Sequence, residues 1–375
     1  MNKFNLYGPV NNLGYGIFTR GIIKGLKQLG NVDYHLDIIG QPQLDGPGEE
    51  ANLINHLIQK PWTRKAASVA IWHEFDLSKF SGEKLVAFPI FETTGFFPAA
   101  TNYLAQMDAV MVASNWAKQV IHKNVGDSLP VFVVPGAANL TNSPAVTATS
   151  KYEGFTFLHV GKFENRKSTI ETIRAYIAGF SNTTFQTRLL CHCYNPFDQS
   201  FQHNMAKVLQ NLGLRLIQAA TPSSLIAIKG NCIVEIPVGR VSDEQLSQLY
   251  RAAHVGVFAS KGEGWNLPLM EAIQSGLPCI ATNHSAHTEY LTSQFEYPQD
   301  LLLTNLKMEP AYDGLYFKGD RGDWAAPSIE ELAHKMRYAY DNYHEIVAKF
   351  DPTKIVQTFT WTNSANKFLE CLSSI

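Results

Sequence analysis

The sequence predicts an α/β protein of two parallel-sheet domains. Three observations carry that expectation. The 375 residues make two domains of ordinary size. Short apolar runs alternate with helical stretches through both halves, as in a sheet covered on both faces. Residues 141–150, TNSPAVTATS, lack apolar periodicity and read as an interdomain linker. The expected domains are 1–145 and 146–345.

The first half opens with a strand, FNLYG (4–8). A helix over 14–30 follows, with Phe18, Ile22, Leu26 and Leu29 at helical spacing and Gly30 at its end. The turn Gly14-Tyr15-Gly16 leads into that helix, a geometry that suits phosphate and equally suits a plain tight turn. It is not a dinucleotide fingerprint, because Thr19 stands where the third glycine belongs. Further strands are expected at 33–40, 68–72, 85–91, 108–114 and 131–136. A helix at 115–124 has Ser114 as its N-cap. His73, Glu74, Glu92 and Thr93 fall just past strand ends, where side chains reach a ligand edge. Any one of them alone also suits a solvated loop.

The second half begins with a strand at 155–160. A helix carries Ile170, Ile173, Ile177 and Phe180 as its apolar stripe, and Ser168 with Glu171 forms a capping box at its start. Lys162 then ends a strand and Lys167 precedes a helix N-terminus. Two cations beside a positive helix end suit a pyrophosphate, although read alone the pair equally suits a solvated surface. A strand at 187–194, a helical insert over 199–220, a strand at 233–238 and a helix over 242–253 capped by Ser242 come next. Helices over 323–343 and 359–372 close the chain, the last with Trp361 at its start.

Between them lies SKGEGWNLPLMEAIQSGLPCIAT (260–282), a glycine loop and short helix between strands at 254–260 and 278–282. Pro268 suits a first helical turn, and Gly276 with Pro278 ends the helix. Glu263 sits between Gly262 and Gly264, which permit close backbone approach. Glu271 lies in the first turns of the helix, where the dipole favours an anion. Two carboxylates near donor N–H groups suit a hydroxyl-rich ligand that carries an anion, such as a sugar nucleotide.

Composition narrows the classes. Apolar residues make up 45% and charged residues 17%, as in a protein with a substantial core, and the net charge of −2 offers nothing general to nucleic acid. The five cysteines form no C-x2-C pair, and Cys191-His192-Cys193 is too tight for a zinc knuckle, so buried thiols of a reducing compartment are expected. No signal peptide opens the chain and no run approaches the ~20 apolar residues of a membrane span. The expected location is cytoplasmic, with at most peripheral contact at the inner face of a membrane. Asn139-Leu-Thr and Arg321-Gly-Asp read as chance matches to short motifs.

The central stretch resembles the Glu-x7-Glu signature of retaining glycosyltransferases of family 4. Glu263, Gly264, Trp265, Leu267, Pro268, Glu271, Ala272, Gly276, Pro278, Ile280 and Ala281 match in register, and Asn266 departs from the usual Gly. Lys162 and Lys167 match that family's diphosphate-clamping motif, with Lys162 where Arg is common and Ser168 where Gly is common. The resemblance implies a GT-B fold: two facing Rossmann-like domains with a cleft between them, and terminal helices (346–375) packed back across the hinge. It implies transfer from a nucleoside-diphosphate sugar, uridine rather than guanosine, to a glycan, lipid-linked or protein acceptor, with no metal. Glu263, Lys162 and Lys167 are the implied catalytic residues, and His73, read from its place past a strand end rather than from the resemblance, joins them as a candidate. Glu271, Gly264, Trp265, Asn266 and Leu267 fall on the donor, as do Gly239 and Arg240 beside the base and Gly14, Tyr15 and Gly16 beside the phosphates. Glu74, Glu92 and Thr93, placed by the same strand-end position, are candidates for the acceptor side. An epimerase or hydrolase of the same fold, or a non-catalytic sugar-nucleotide binder, are the alternatives.

Overall fold

The computed structural model describes residues 3–30, 32–44, 48–138, 154–195, 197–198, 200–217, 224–239, 241–314 and 318–375. The expected linker at 141–150 lies outside them, as do Asn139 and Arg240.

The first sheet is built from β1 (Phe4–Gly8), β2 (Tyr34–Ile38), β3 (Ala67–Ala70), β4 (Lys84–Ala87), β5 (Ala109–Val112) and β6 (Val131–Val133). Helices α1 (Gly14–Leu29), α2 (Glu49–Gln59), α3 (Pro98–Ala105) and α4 (Asn115–Val125) alternate with these strands. The order is β2-β1-β3-β4-β5-β6 and every pairing is parallel. Ser114 caps α4 as expected, its hydroxyl accepting from the amide of Ala117.

The second sheet runs β14-β13-β12-β7-β8-β11-β10-β9. Its members are β7 (Phe155–Val160), β8 (Thr187–His192), β9 (Arg215–Ile217), β10 (Ser224–Lys229), β11 (Cys232–Pro237), β12 (Val255–Phe258), β13 (Cys279–Thr282) and β14 (Leu302–Leu303). Helices α5 (Thr169–Phe180), α6 (Phe201–Asn211), α7 (Asp243–Ala252) and α8 (Leu267–Gln274) belong to it. Six strands pair in parallel, while β9 and β10 extend the edge antiparallel. A small hairpin, β15 (Leu306–Pro310) with β16 (Asp323–Pro327), precedes α9 (Ile329–Asp341), α10 (Tyr343–Lys349), α11 (Thr353–Thr358) and α12 (Trp361–Ser374).

Three local expectations are corrected. Residues 323–327 are a strand, since DWAAP pairs with LKMEP, and Ser328 caps the helix that follows by accepting from Glu331. Of the insert over 199–220, the described residues are helical from Phe201 to Asn211 and then enter β9. Ser168 makes no capping bond: a 3-10 turn at Asn165–Lys167 leaves it left-handed at φ 54, and α5 starts at Thr169. An N-cap hydroxyl reaches the N3 amide from extended backbone, which Ser168 does not have.

The cysteines are all free and buried. No helix among the described residues is long and apolar enough to cross a membrane. The terminal helix α12 packs on α1 of the first sheet, where Gly21 and Gly25 make room for Trp361. A Cβ on Gly25 would lie 2.0 Å from the carbonyl oxygen of Trp361. Gly25→Ala is therefore expected to lower stability by about 1–3 kcal/mol through overpacking, although Ala is the better helix former. A denaturant titration of both proteins measures it.

Candidate active site

In the second sheet β7 lies between β12 and β8, so the chain leaves it in one direction and later returns on the other side. The carboxyl ends of β7 and β12 flank that switch point, where open α/β sheets bind ligands. After β7 come Lys162, Glu164, Arg166 and Lys167. After β12 comes the loop holding Glu263. The two loops are tied together: the Lys261 amide donates to the Arg166 carbonyl (2.8 Å), and Lys261 Nζ reaches Asn165 Oδ1 (2.9 Å) and Glu309 Oε1 (2.8 Å).

The Glu263 carboxylate is shared by two cations. Lys167 Nζ lies 2.6 Å from Oε1 and Arg166 Nη1 lies 2.8 Å from Oε2. The Glu263 amide donates to Ser285 Oγ (2.9 Å), which fixes its backbone. Arg166 Nη1 also donates to the Gly262 carbonyl (2.8 Å), and Nη2 lies 3.4 Å from Glu164 and 3.5 Å from Glu92. Lys162 Nζ pairs with Glu164 at 2.5 Å. Burial alone pushes the Glu263 carboxyl up, but Lys167 and then Arg166 outweigh it and hold the group at about 2. Glu263, Arg166 and Lys167 are all buried.

Glu271 stands apart from this cluster. Its carboxylate accepts from the Tyr250 hydroxyl of α7 at 3.2 Å, and burial pushes its carboxyl up to about 8. Asn266 explains the departure from glycine: it is left-handed at φ 72, a conformation Asn tolerates better than most residues. Its Nδ2 donates to His287 Nε2 (2.8 Å), leaving His287 Nδ1 to donate to the Thr282 carbonyl (2.8 Å). Trp265 is buried against Tyr290 and Phe359 rather than turned to a ligand, and Leu267 starts α8. Gly239 sits at φ 96 just past β11, with open space where a Cβ would be.

The first sheet has its own switch point, with β1 between β2 and β3. Gly14, Tyr15 and Gly16 open α1 beyond β1. His73 and Glu74 follow β3. The Tyr15 hydroxyl donates to the Ile90 carbonyl (2.5 Å), and its ring lies 4.5 Å from His73. Burial and then Arg321 hold His73 down at about 4. Thr93 Oγ1 donates to the Gly95 carbonyl (3.2 Å).

The two edges meet. A Cβ on Gly262 would lie 2.3 Å from the Glu92 carbonyl oxygen, and one on Gly264 would lie 2.4 Å from Ile90 Cγ2. The glycines around Glu263 thus admit the first domain's chain at 90–92, whereas the sequence suggested a ligand. Arg166, Glu164, Lys261 and Tyr250 escaped the sequence reading. Arg166 stands next to Lys167, but a lone Arg in a polar turn carries no periodic signal.

Residues 154–305 match the family described as glycosyl transferases group 1. That span holds Lys162, Arg166, Lys167, Glu263 and Glu271, and excludes His73, Glu74, Glu92 and Arg321. A serotype-specific mannosyltransferase, WbdA of Escherichia coli, is 52% identical over 40 residues, 11% of this chain and only 5% of that protein's length. Among solved structures, the sucrose-phosphate synthase of Thermosynechococcus elongatus superposes with a TM-score of 0.67 at 14% identity, covering 100% of this chain and 99% of that one. Anabaena HepE, solved with UDP and glucose, gives 0.62 at 12% identity over 100% of both chains. These likenesses establish the GT-B fold, two Rossmann-like domains with facing edges.

Within the matched span Glu271 sets a pH dependence. Its carboxyl sits at about 8 when folded, against 4.5 ordinarily. A raised folded value means its contribution is fully present below the unfolded value and is lost as pH rises from about 4.5 through 8. Melting temperatures of wild type and Glu271→Gln should therefore diverge across that window, with the variant gaining relative stability at higher pH.

Proposed function

We propose that this protein is a retaining glycosyltransferase that moves a hexosyl group from a nucleoside-diphosphate sugar to an acceptor hydroxyl. The observation that carries the reading is the buried convergence of Arg166 and Lys167 on Glu263 at the switch point of the second sheet. Cations at a strand's carboxyl end, ahead of the α5 N-terminus, suit the donor diphosphate. UDP is favoured over GDP as carrier: HepE, which shares the fold, was solved with UDP and glucose.

In this reading Lys162, Arg166 and Lys167 stabilise the negative charge that builds on the leaving diphosphate. Glu263 accepts hydrogen bonds from hydroxyls of the donor sugar, and Glu271 from those of the ribose. The bond from the anomeric carbon to the β-phosphate oxygen breaks. The acceptor oxygen bonds to that carbon on the same face, and its proton passes to the departing phosphate. Positive side chains take the neutralising role, so we propose that no metal is needed. A nucleotide-sugar substrate fits a cytoplasmic location, with at most peripheral membrane contact. The closed contact of the first domain's 90–92 chain with the Glu263 loop supports exclusion of water, which strengthens every charge interaction inside.

Lys167→Ala and Glu271→Ala should each lower sugar transfer by about 10²–10³-fold, the cost of removing a group that stabilises charge or orients a donor. Nucleotide release from UDP-glucose and GDP-mannose, with a circular-dichroism check of fold, measures this. Near-full activity in both folded variants would sink the proposal.

A further inference from the structure

The β15–β16 hairpin lies beyond the matched span 154–305, yet it reaches across to the first domain. Three backbone features seat it there. The Gly95 amide donates to the Arg321 carbonyl (3.0 Å), the Asp323 amide donates to Thr94 Oγ1 (2.8 Å), and Gly322 turns at φ 77. A Cβ on Gly322 would lie 2.4 Å from the Gly95 amide nitrogen, so the approach is a close one.

This seating buries Arg321 among residues of the other domain. Its Nη2 lies 3.1 Å from Glu74 Oε1, and its guanidinium lies 4.5 Å from the Phe97 ring and 5.2 Å from the Phe75 ring. Glu74 follows β3 at the first sheet's switch point. Its neighbour His73 stacks on Phe75 with centroids 4.8 Å apart and an interplanar angle of 19°. Phe75 is 41% exposed. A stacked aromatic face beside a carboxylate suits a saccharide: the ring meets the apolar face of the sugar and the carboxylate accepts its hydroxyls.

We infer that Arg321, carried on the hairpin seated against the first domain, is a positioning residue of the acceptor site that holds Glu74 for a saccharide hydroxyl. The inference rests on the glycosyl-transfer reading above. Burial pushes the Glu74 carboxyl up to about 7, and the Arg321 charge opposes that shift. The planar guanidinium both pairs with Glu74 and stacks on aromatic faces, a combination an ammonium does not reproduce.

The test compares wild type, Arg321→Ala, Arg321→Lys and Glu74→Gln. UDP-glucose and GDP-mannose serve as donors, methyl α-D-glucopyranoside and methyl α-D-mannopyranoside as acceptors, and water as the competing acceptor. UDP binding is titrated in parallel. Arg321→Ala should lose about tenfold or more in kcat/KM for the glycoside, with the ratio of transfer to hydrolysis falling likewise and UDP affinity within about twofold. Arg321→Lys should recover part of the loss, and Glu74→Gln should resemble Arg321→Ala. If Arg321→Ala does not fold, the other two variants carry the comparison. Unchanged glycoside kcat/KM in the folded variants overturns the inference, as does a loss matched by equal loss of UDP affinity. A wild type that only hydrolyses donor overturns the saccharide acceptor. A wild type that turns over no donor instead sinks the transfer reading, before any variant is made.

Discussion

The Glu263 carboxylate, held between Lys167 and Arg166, is the contact on which the rest of the site depends. Three charges buried together are expensive to desolvate, and they persist only because each finds a close partner of opposite sign. The arrangement needs two loops from distant parts of the chain to meet within hydrogen-bond reach. Lys261 secures that meeting by binding the Arg166 backbone and Asn165. Ser285 then fixes the Glu263 amide from the far side. His159 adds a tie between strands: one ring nitrogen contacts the Val257 carbonyl of β12 (2.9 Å), and the other contacts Thr169 Oγ1 at the start of α5 (3.0 Å). Burial holds that imidazole down at about 4, so it is neutral at physiological pH and adds no fourth charge.

The same constraint extends across the domains. The first domain's segment 90–97 is gripped by three parts of the second: the Glu263 loop, Arg166 and the hairpin. A further tie lies at α4, where the Glu289 carboxylate accepts from the Asn115 amide (2.8 Å) at the helix N-terminus. A carboxylate there answers both an orphan amide and the helix dipole. Trp116 and His284 pack beside it, with ring centroids 5.7 Å apart. Polar contacts at helix ends and loops thus tie the domains together, while α12 supplies an apolar seam on α1.

Much of this was legible in the sequence because it follows from backbone periodicity and strand-end position. The alternation of apolar strands and helices predicted both sheets, and each switch point falls beside residues singled out beforehand: Tyr15 and His73 on one sheet, Lys167 and Glu263 on the other. The failures have a common physical origin. The β15–β16 strands, the interdomain role of Arg321 and the partnership of Glu263 with Arg166 depend on pairing between residues far apart in sequence, which local patterns do not encode. Ser168 shows the converse: a good local capping signal was overridden by a 3-10 turn that places Lys167 against Glu263. Asn266 was read as a departure from glycine, and its left-handed φ shows that the backbone requirement had been met by another residue type.

The charge balance of the cluster constrains how a donor would enter. Lys162, Arg166 and Lys167 face Glu92, Glu164 and Glu263, so the cations are already matched by carboxylates. Under the proposed function a diphosphate adds negative charge to a set that has none to spare, and in a site of low dielectric that is unfavourable unless a carboxylate withdraws. Glu263 has hydroxyls of the donor sugar to accept from, and Glu164 retains Lys162. Glu92 is the member contributed by the first domain, and at 3.5 Å from Arg166 it has the longest contact of the set. The contact whose loss would free a cation for the diphosphate is thus also one that joins the two domains.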